Sequence, residues 1–169
     1  MGSIVSLVAA CGTTDVPGLT FPVASVGPGT TVSPAVSQTR VELVRTLGQY
    51  NLVLSDTQVP VRPPEAALLA AAPRAVYQVI LPKDPGRGFI VVYEFQDPDR
   101  AAAAATQQQA YLATGPARVQ TPPGTVSIIR QVGSTVVFYD WLPAAAQDPS
   151  AAAIQSALET LGVGYPVLS

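Results

Sequence analysis

Two nearly continuous apolar runs dominate the hydropathy pattern. Phe89 to Phe95 reads FIVVYEF, and Thr135 to Trp141 reads TVVFYDW. Both are β-branched or aromatic at most positions, which is strand composition. Each follows another run of the same kind, AVYQVILP from Ala75 to Pro82 and TVSIIRQV from Thr125 to Val132. Turn formers separate the members of each pair. Lys83 to Gly88 (KDPGRG) supplies proline at a φ near about −65° and glycine for positive φ. Gly133-Ser134 has the length of a tight hairpin loop.

A helix signal follows each hairpin. Asp97 stands where an N-cap belongs, and Pro98 where a missing N–H costs nothing. The run RAAAAATQQQAYLA is rich in helix formers, and Gly115 is placed to end it. Asp148 and Pro149 repeat the entry before SAAAIQSALETL, where Ile154, Leu158 and Leu161 share a face and Gly162 closes the helix. These are two ββα units, spanning about 75–115 and 125–162. Val91 to Phe95 aligns with Val137 to Trp141, and the triplet QDP recurs because each helix needs a cap and a start.

Ahead of them the signals are shorter. Thr39 and Glu42 have capping-box spacing, Val41, Val44 and Leu47 recur at helical spacing, and Gly48 or Asn51 can end that helix. Leu52 to Leu54 reads as a short strand. Pro64 opens EAALLAAA, a short helix stopped by Pro73. The expected architecture is α+β: a mainly antiparallel sheet from two ββα repeats, with helices packed on one face. An N-terminal helix and strand extend or cover it. Strands this apolar need cover on at least one face.

The 169 residues suffice for one domain with a real core. Hydrophobic residues make up 48%, charged residues only 12%, and mean hydropathy is +0.32, so the chain is not a disordered polyelectrolyte. The net charge of −2 argues against nucleic acid and against polybasic attachment to a membrane. There is no histidine, which removes the commonest general base and metal ligand. A single cysteine, Cys11, excludes an intrachain disulfide and a cysteine-rich metal site. No cofactor is expected.

The first residues, MGSIVSLVAAC, place Leu7-Val8-Ala9-Ala10 ahead of Cys11. Residues 12–36 are rich in Gly, Pro, Thr and Ser with no sustained period, the composition of a flexible tether. GPGTT within it lacks the lysine and following helix of a phosphate loop. No Lys or Arg precedes Arg40, so the basic start of a secretory signal is not in this sequence. Either the leader begins further upstream or the cysteine is incidental. The expected organisation is a signal remnant over 1–11, a tether over 12–36 and one globular domain over 37–169.

Candidate chemistry is sparse. Glu94 and Asp140 hold matching positions between aromatics. If their strands are neighbours, the carboxylates approach and one pKa rises, as acid–base work or cation binding exploits. Solvated strand-end carboxylates are the alternative. Glu94, Asp97 and Asp99 lack calcium-loop spacing and read as helix-entry charge. Lys83, the sole lysine, falls in a turn where exposure is the rule, against a Schiff-base role. The serines have no histidine partner. Tyr93, Phe95, Tyr139 and Trp141 are either core or a partner or ligand surface.

Leu7 to Cys11 resembles the lipobox of bacterial lipoproteins. The region from about 38 to 163 resembles small bacterial lipoproteins of the Chloroflexota type. Val91 to Phe95, Asp97 to Ala105, Gly133 to Tyr139 and Leu161-Gly162 carry that resemblance. It implies diacylglycerol on the Cys11 sulfur and a domain held outside the cytoplasmic membrane, periplasmic or at the cell surface. It brings no activity. The expected function is therefore a lipid-anchored, non-catalytic domain that contacts a protein partner, as an accessory subunit of a membrane complex. A small apolar-ligand carrier using the aromatic sheet face is the alternative. A two-carboxylate enzyme using Glu94 and Asp140 comes third.

Overall fold

Both hairpins form where the strand pattern and turn chemistry place them, in a computed structural model that describes residues 32–167. The lipobox-like residues, Cys11 and most of the Gly/Pro-rich stretch lie outside the described residues. In chain order the elements are α1 (Pro34–Gly48), β1 (Leu54–Asp56), α2 (Ala67–Ala71), β2 (Arg74–Val79) and β3 (Phe89–Glu94). Then come α3 (Pro98–Leu112), α4 (Gly115–Gln120), β4 (Val126–Val132) and β5 (Thr135–Trp141). A 3₁₀ turn at Pro143–Ala145, α5 (Ala151–Glu159) and β6 (Val163–Gly164) complete the domain.

The strands make one six-stranded sheet in the order β1-β2-β3-β5-β4-β6, every neighbouring pair antiparallel. The class is thus α+β with an antiparallel sheet. The return strands β3 and β5 are central neighbours, with Ile90 opposite Tyr139 and Glu94 opposite Thr135.

The helices cover both faces of the sheet, not one. Ile90, Val92, Val137 and Tyr139 point to the side where Leu43 and Leu47 of α1 and Ile154 and Leu158 of α5 pack. Val91, Tyr93, Val136 and Phe138 point to the other, against Leu69 of α2, the alanines of α3 and Ala117 of α4. Successive strand side chains alternate in direction. A run with no polar member, such as IVVY, therefore presents two apolar faces, and each needs a lid. Alanine at 101, 104 and 105 lets α3 approach closely.

The two ββα units are consequently not equivalent, since α3 lies on one face and α5 on the other. Val91 and Val137, matched in the sequence alignment, face opposite ways. The likeness is one of strand composition and helix-entry chemistry. A twofold axis through the β3–β5 pair, perpendicular to the sheet, would have kept both helices on one side.

The local reading holds at the entry of α3, whereas α5 starts only at Ala151, with Ser150 rather than Asp148 as its N-cap and Pro149 outside the helix. Asp97 Oδ1 accepts from Arg100 N at 2.7 Å, with Pro98 in the first turn. Asp148 Oδ1 accepts from Ser150 N at 2.9 Å, while Oδ2 accepts from Lys83 N at 3.0 Å. Asp148 thus joins the β2–β3 turn to the start of α5. The two backbone N–H donors, Lys83 first, hold its carboxyl below the usual range.

Helix α1 starts earlier than its capping-box spacing indicated, within the stretch given to the tether. Ser33 is the N-cap, and its Oγ accepts from Val36 N at 3.2 Å. Thr39 is interior: its Oγ1 donates to Ala35 O at 3.0 Å and lies 2.8 Å from Thr135 Oγ1. The buried face runs through Val36, Thr39, Leu43, Thr46 and Leu47, leaving Val41 65% exposed. Threonine reads as polar in a pattern, but a hydrogen-bonded threonine can be buried, and that shifts the phase of the helix. Gly115 does not end α3. Ala113 is the C-cap, and Gly115 with Pro116 opens α4. Nor does Gly162 cap α5: the helix ends at Glu159 with Thr160 as its C-cap, and Gly162 turns the chain two residues on, at φ +44°, where a Cβ would run into Gln131 O.

Candidate functional site

The antiparallel pairing of β3 with β5 decides the carboxylate question. Glu94 sits opposite Thr135, so Asp140 is five residues further along its strand. At about 3.3 Å per residue that is roughly 16 Å. The two side chains also alternate to different faces, Glu94 in phase with Val92 and Asp140 with Phe138. Two equivalent positions on antiparallel neighbours end up at opposite ends of the sheet, and no shared site forms.

The aromatic residues divide as well. Tyr93 is 0% exposed and Tyr139 2%, on opposite faces, so both are core rather than surface. Phe95 and Trp141 are half-buried at opposite sheet ends. Each borders a concavity.

Trp141 borders a cleft at the end of the sheet where β5 finishes and the β2–β3 turn lies. The cleft has two lobes of about 170 and 220 Å³, and Arg87, Asp140, Trp141 and Leu142 line both. Val61 and Phe89 complete one lobe, and Gln120 to Pro122 wall the other. Burial pushes the Asp140 carboxyl above its ordinary value. Among the described residues no ion pair reaches it. Arg87 spends its Nε on Asp84 Oδ2 at 3.3 Å. Trp141 Nε1 donates to Gln155 Oε1 at 3.1 Å, which fixes the ring against α5. Of the residues singled out in the sequence, Asp140 and Trp141 are thus brought together, without Glu94.

Phe95 borders an open groove of about 470 Å³ at the other end, with Leu68, Ala71, Ala72 and Pro73 as walls and Glu94 and Arg100 on the rim. Leu68 is 44% exposed there. Helix α1 starts at this same end, since Thr39 meets Thr135 opposite Glu94.

Two polar constellations escaped the sequence reading. Glu65 Oε1 accepts from Tyr93 OH at 2.7 Å and from Arg74 Nη1 at 2.7 Å. Burial first, and the Glu65 carboxylate second, drive the Tyr93 phenol far above its ordinary value, so it stays protonated. The only hint was a lone acid opening an alanine-leucine run. The second is Gln107-Gln108-Gln109. Gln107 Oε1 accepts from Leu68 N at 2.9 Å, Gln108 Oε1 from Ala66 N at 2.6 Å, and Gln108 Nε2 donates to Pro64 O at 2.7 Å. Gln109 reaches Pro166 O on the C-terminal segment. A run that looks like helix filler clamps two separate segments, 64–68 and the C-terminal one, to α3.

Lys83 is exposed in its turn, with only its backbone N–H engaged by Asp148. Asp97 and Asp99 sit in the entry of α3. Among the described residues no group of three His, Cys, Asp or Glu side chains is placed to hold a metal ion, and no helix is long and apolar enough to cross a membrane. No protein-family model, curated protein or solved structure matches the chain.

Proposed function

We propose that the chain is a lipid-anchored extracytoplasmic domain with a non-catalytic role, engaging a protein partner as an accessory subunit of a membrane complex. The observation that carries this reading is the open apolar groove at Leu68 and Phe95, with charged Glu94 and Arg100 on its rim. An exposed leucine beside a half-buried phenylalanine, ringed by polar groups, has the make-up of a docking surface. The groove lies at the sheet end from which α1 starts, and the sequence before α1 carries the lipobox-like residues ahead of Cys11. Acyl chains on Cys11 would supply the anchor, at about 0.8 kcal/mol per buried CH₂. The partner segment that fits is apolar at its centre, with a basic and an acidic group to meet Glu94 and Arg100.

Two readouts test the reading. Intact-mass analysis of protein from native membranes should show diacylglycerol on Cys11. Co-purification with a membrane complex at fixed stoichiometry should be lost in Leu68→Asp. An unmodified Cys11, or a complex indifferent to L68D, sinks the proposal. A second reading, small-ligand carriage, draws on the Trp141 cleft. The sheet face first considered for it is closed by helices on both sides.

A further inference from the structure

We propose that the cleft at the end of β5 binds a small zwitterion of the α-amino-acid type bearing an apolar or aromatic side group, with Asp140 taking the ammonium and Arg87 the carboxylate. The proposal sharpens the carrier reading and rests on it only in taking the cleft as a ligand site. Its failure leaves the anchored-domain reading untouched.

The first argument is charge. Asp140 and Arg87 line the same two lobes, yet no ion pair joins them. Arg87 has one partner, Asp84 on its Nε, which leaves the terminal guanidinium nitrogens without a partner among the described residues. Asp140 is a partly buried carboxylate without a cation, an arrangement that costs free energy unless something else offsets it. A ligand carrying only an ammonium would meet the Arg87 charge. One carrying only a carboxylate would meet Asp140. A molecule with both groups a few ångströms apart satisfies each side, and its own charges cancel.

The second argument is shape and surface. Lobes of about 170 and 220 Å³ are small beside drug-sized pockets of roughly 300–1,000 Å³. Val61, Phe89, Leu142 and the Trp141 ring supply apolar wall. A few polar groups converging on an apolar cavity is the general form of a small-molecule site.

The third is preorganisation. The Trp141 ring is held by Gln155 at 3.1 Å. The β2–β3 turn that carries Arg87 is held through Lys83 N to Asp148 at 3.0 Å and Gln147 N to Asp84 at 3.4 Å. Little ordering cost then remains for binding. The raised Asp140 pKa agrees with a carboxylate lacking its counter-charge, and burial is the main cause. The other titratable groups here are Arg87, Asp84 and Tyr139, whose phenol burial also pushes up.

Trp141 is the only tryptophan, so its fluorescence reports on this site alone. The full chain is titrated with L-phenylalanine, phenethylamine and 3-phenylpropionate, and heats of binding are measured in parallel. The expected result is saturable binding of L-phenylalanine with Kd of about 1 mM or tighter. Phenethylamine and 3-phenylpropionate should each bind at least about tenfold more weakly, because each leaves one protein charge unmatched. Asp140→Asn and Arg87→Met should each weaken L-phenylalanine binding by about tenfold or more. Arg87 is 49% exposed, so R87M tests the site independently of any stability change at Asp140. No saturable response to L-phenylalanine up to roughly 20 times that Kd, amine binding as tight as the zwitterion, or R87M binding like the parent overturns the proposal.

Discussion

Gln108→Ala should be among the most damaging single changes in the domain, although glutamine on an alanine-rich helix looks replaceable. The side chain is 0% exposed. Its Oε1 takes the Ala66 N–H at 2.6 Å, and its Nε2 reaches Pro64 O at 2.7 Å. Alanine would strand a backbone donor and a backbone acceptor. Each unpaired buried group costs about 1–3 kcal/mol, and the deleted volume adds of order 1 kcal/mol, so the expected loss is about 3–7 kcal/mol. That is a large part of the roughly 5–15 kcal/mol that holds an ordinary domain together. Gln107→Ala is the control. Gln107 is exposed and holds only Leu68 N, at 2.9 Å, so about 0.5–1.5 kcal/mol is expected. Urea unfolding followed by circular dichroism measures both, and hydrogen exchange at the Ala66 amide localises the effect. The segment that Gln108 holds leads from Val61 of the cleft to Leu68 of the groove, so Q108A should loosen both concavities. If Q108A loses less than about 1 kcal/mol, or no more than Q107A, the clamp is not what orders this segment.

The remaining predictions concern the other polar and tight contacts. Glu65→Ala leaves Arg74 and the Tyr93 hydroxyl facing an empty site and should cost about 2–4 kcal/mol, against about 0.5–1.5 for Tyr93→Phe; a double-mutant cycle measures the coupling. Gly162→Ala drives a Cβ into Gln131 O and should cost at least about 2 kcal/mol, with loss of exchange protection at the β4–β6 pairing. Gly48→Ala, with open space around it, should be neutral or stabilising in the same denaturation assay. Asp140 and Asp148 should show opposite pH dependences. The raised Asp140 pKa means folding is favoured below the unfolded value near 3.8, and that advantage is lost as pH rises through the folded value. Asp140→Asn should therefore gain stability over the parent at neutral pH, the difference closing in acid. The lowered Asp148 pKa acts the other way: its stabilisation is present above about 3.8 and is lost as pH falls through the lower folded value. Asp148→Asn should be less stable at neutral pH, and urea midpoints between pH 3 and 7 would show differences from the parent of opposite sign for the two variants, both shrinking in acid.

What the sequence determined by itself was local. The hairpins around Lys83–Gly88 and Gly133-Ser134 follow from turn chemistry between β-branched runs. The Asp97-Pro98 helix entry follows from capping, and Gly162 from a φ that other residues resist. Each depends on hydrogen bonds and torsions within a few residues, so pattern suffices. A strand apolar at every position also signals burial on both sides, though not which helix goes to which side. That was settled in three dimensions. Matching β3 and β5 residues looked like one paired site, but antiparallel pairing sends Glu94 and Asp140 to opposite ends and alternation sends them to opposite faces. Thr39 read as a cap and proved to be a buried partner of Thr135, ninety-six residues away. Gln108 read as helix filler and proved to hold Pro64 and Ala66. Local preferences fix what a segment becomes. Where its side chains meet depends on strand order and the side each helix takes, which arise from the packing of distant segments and leave no short-range trace.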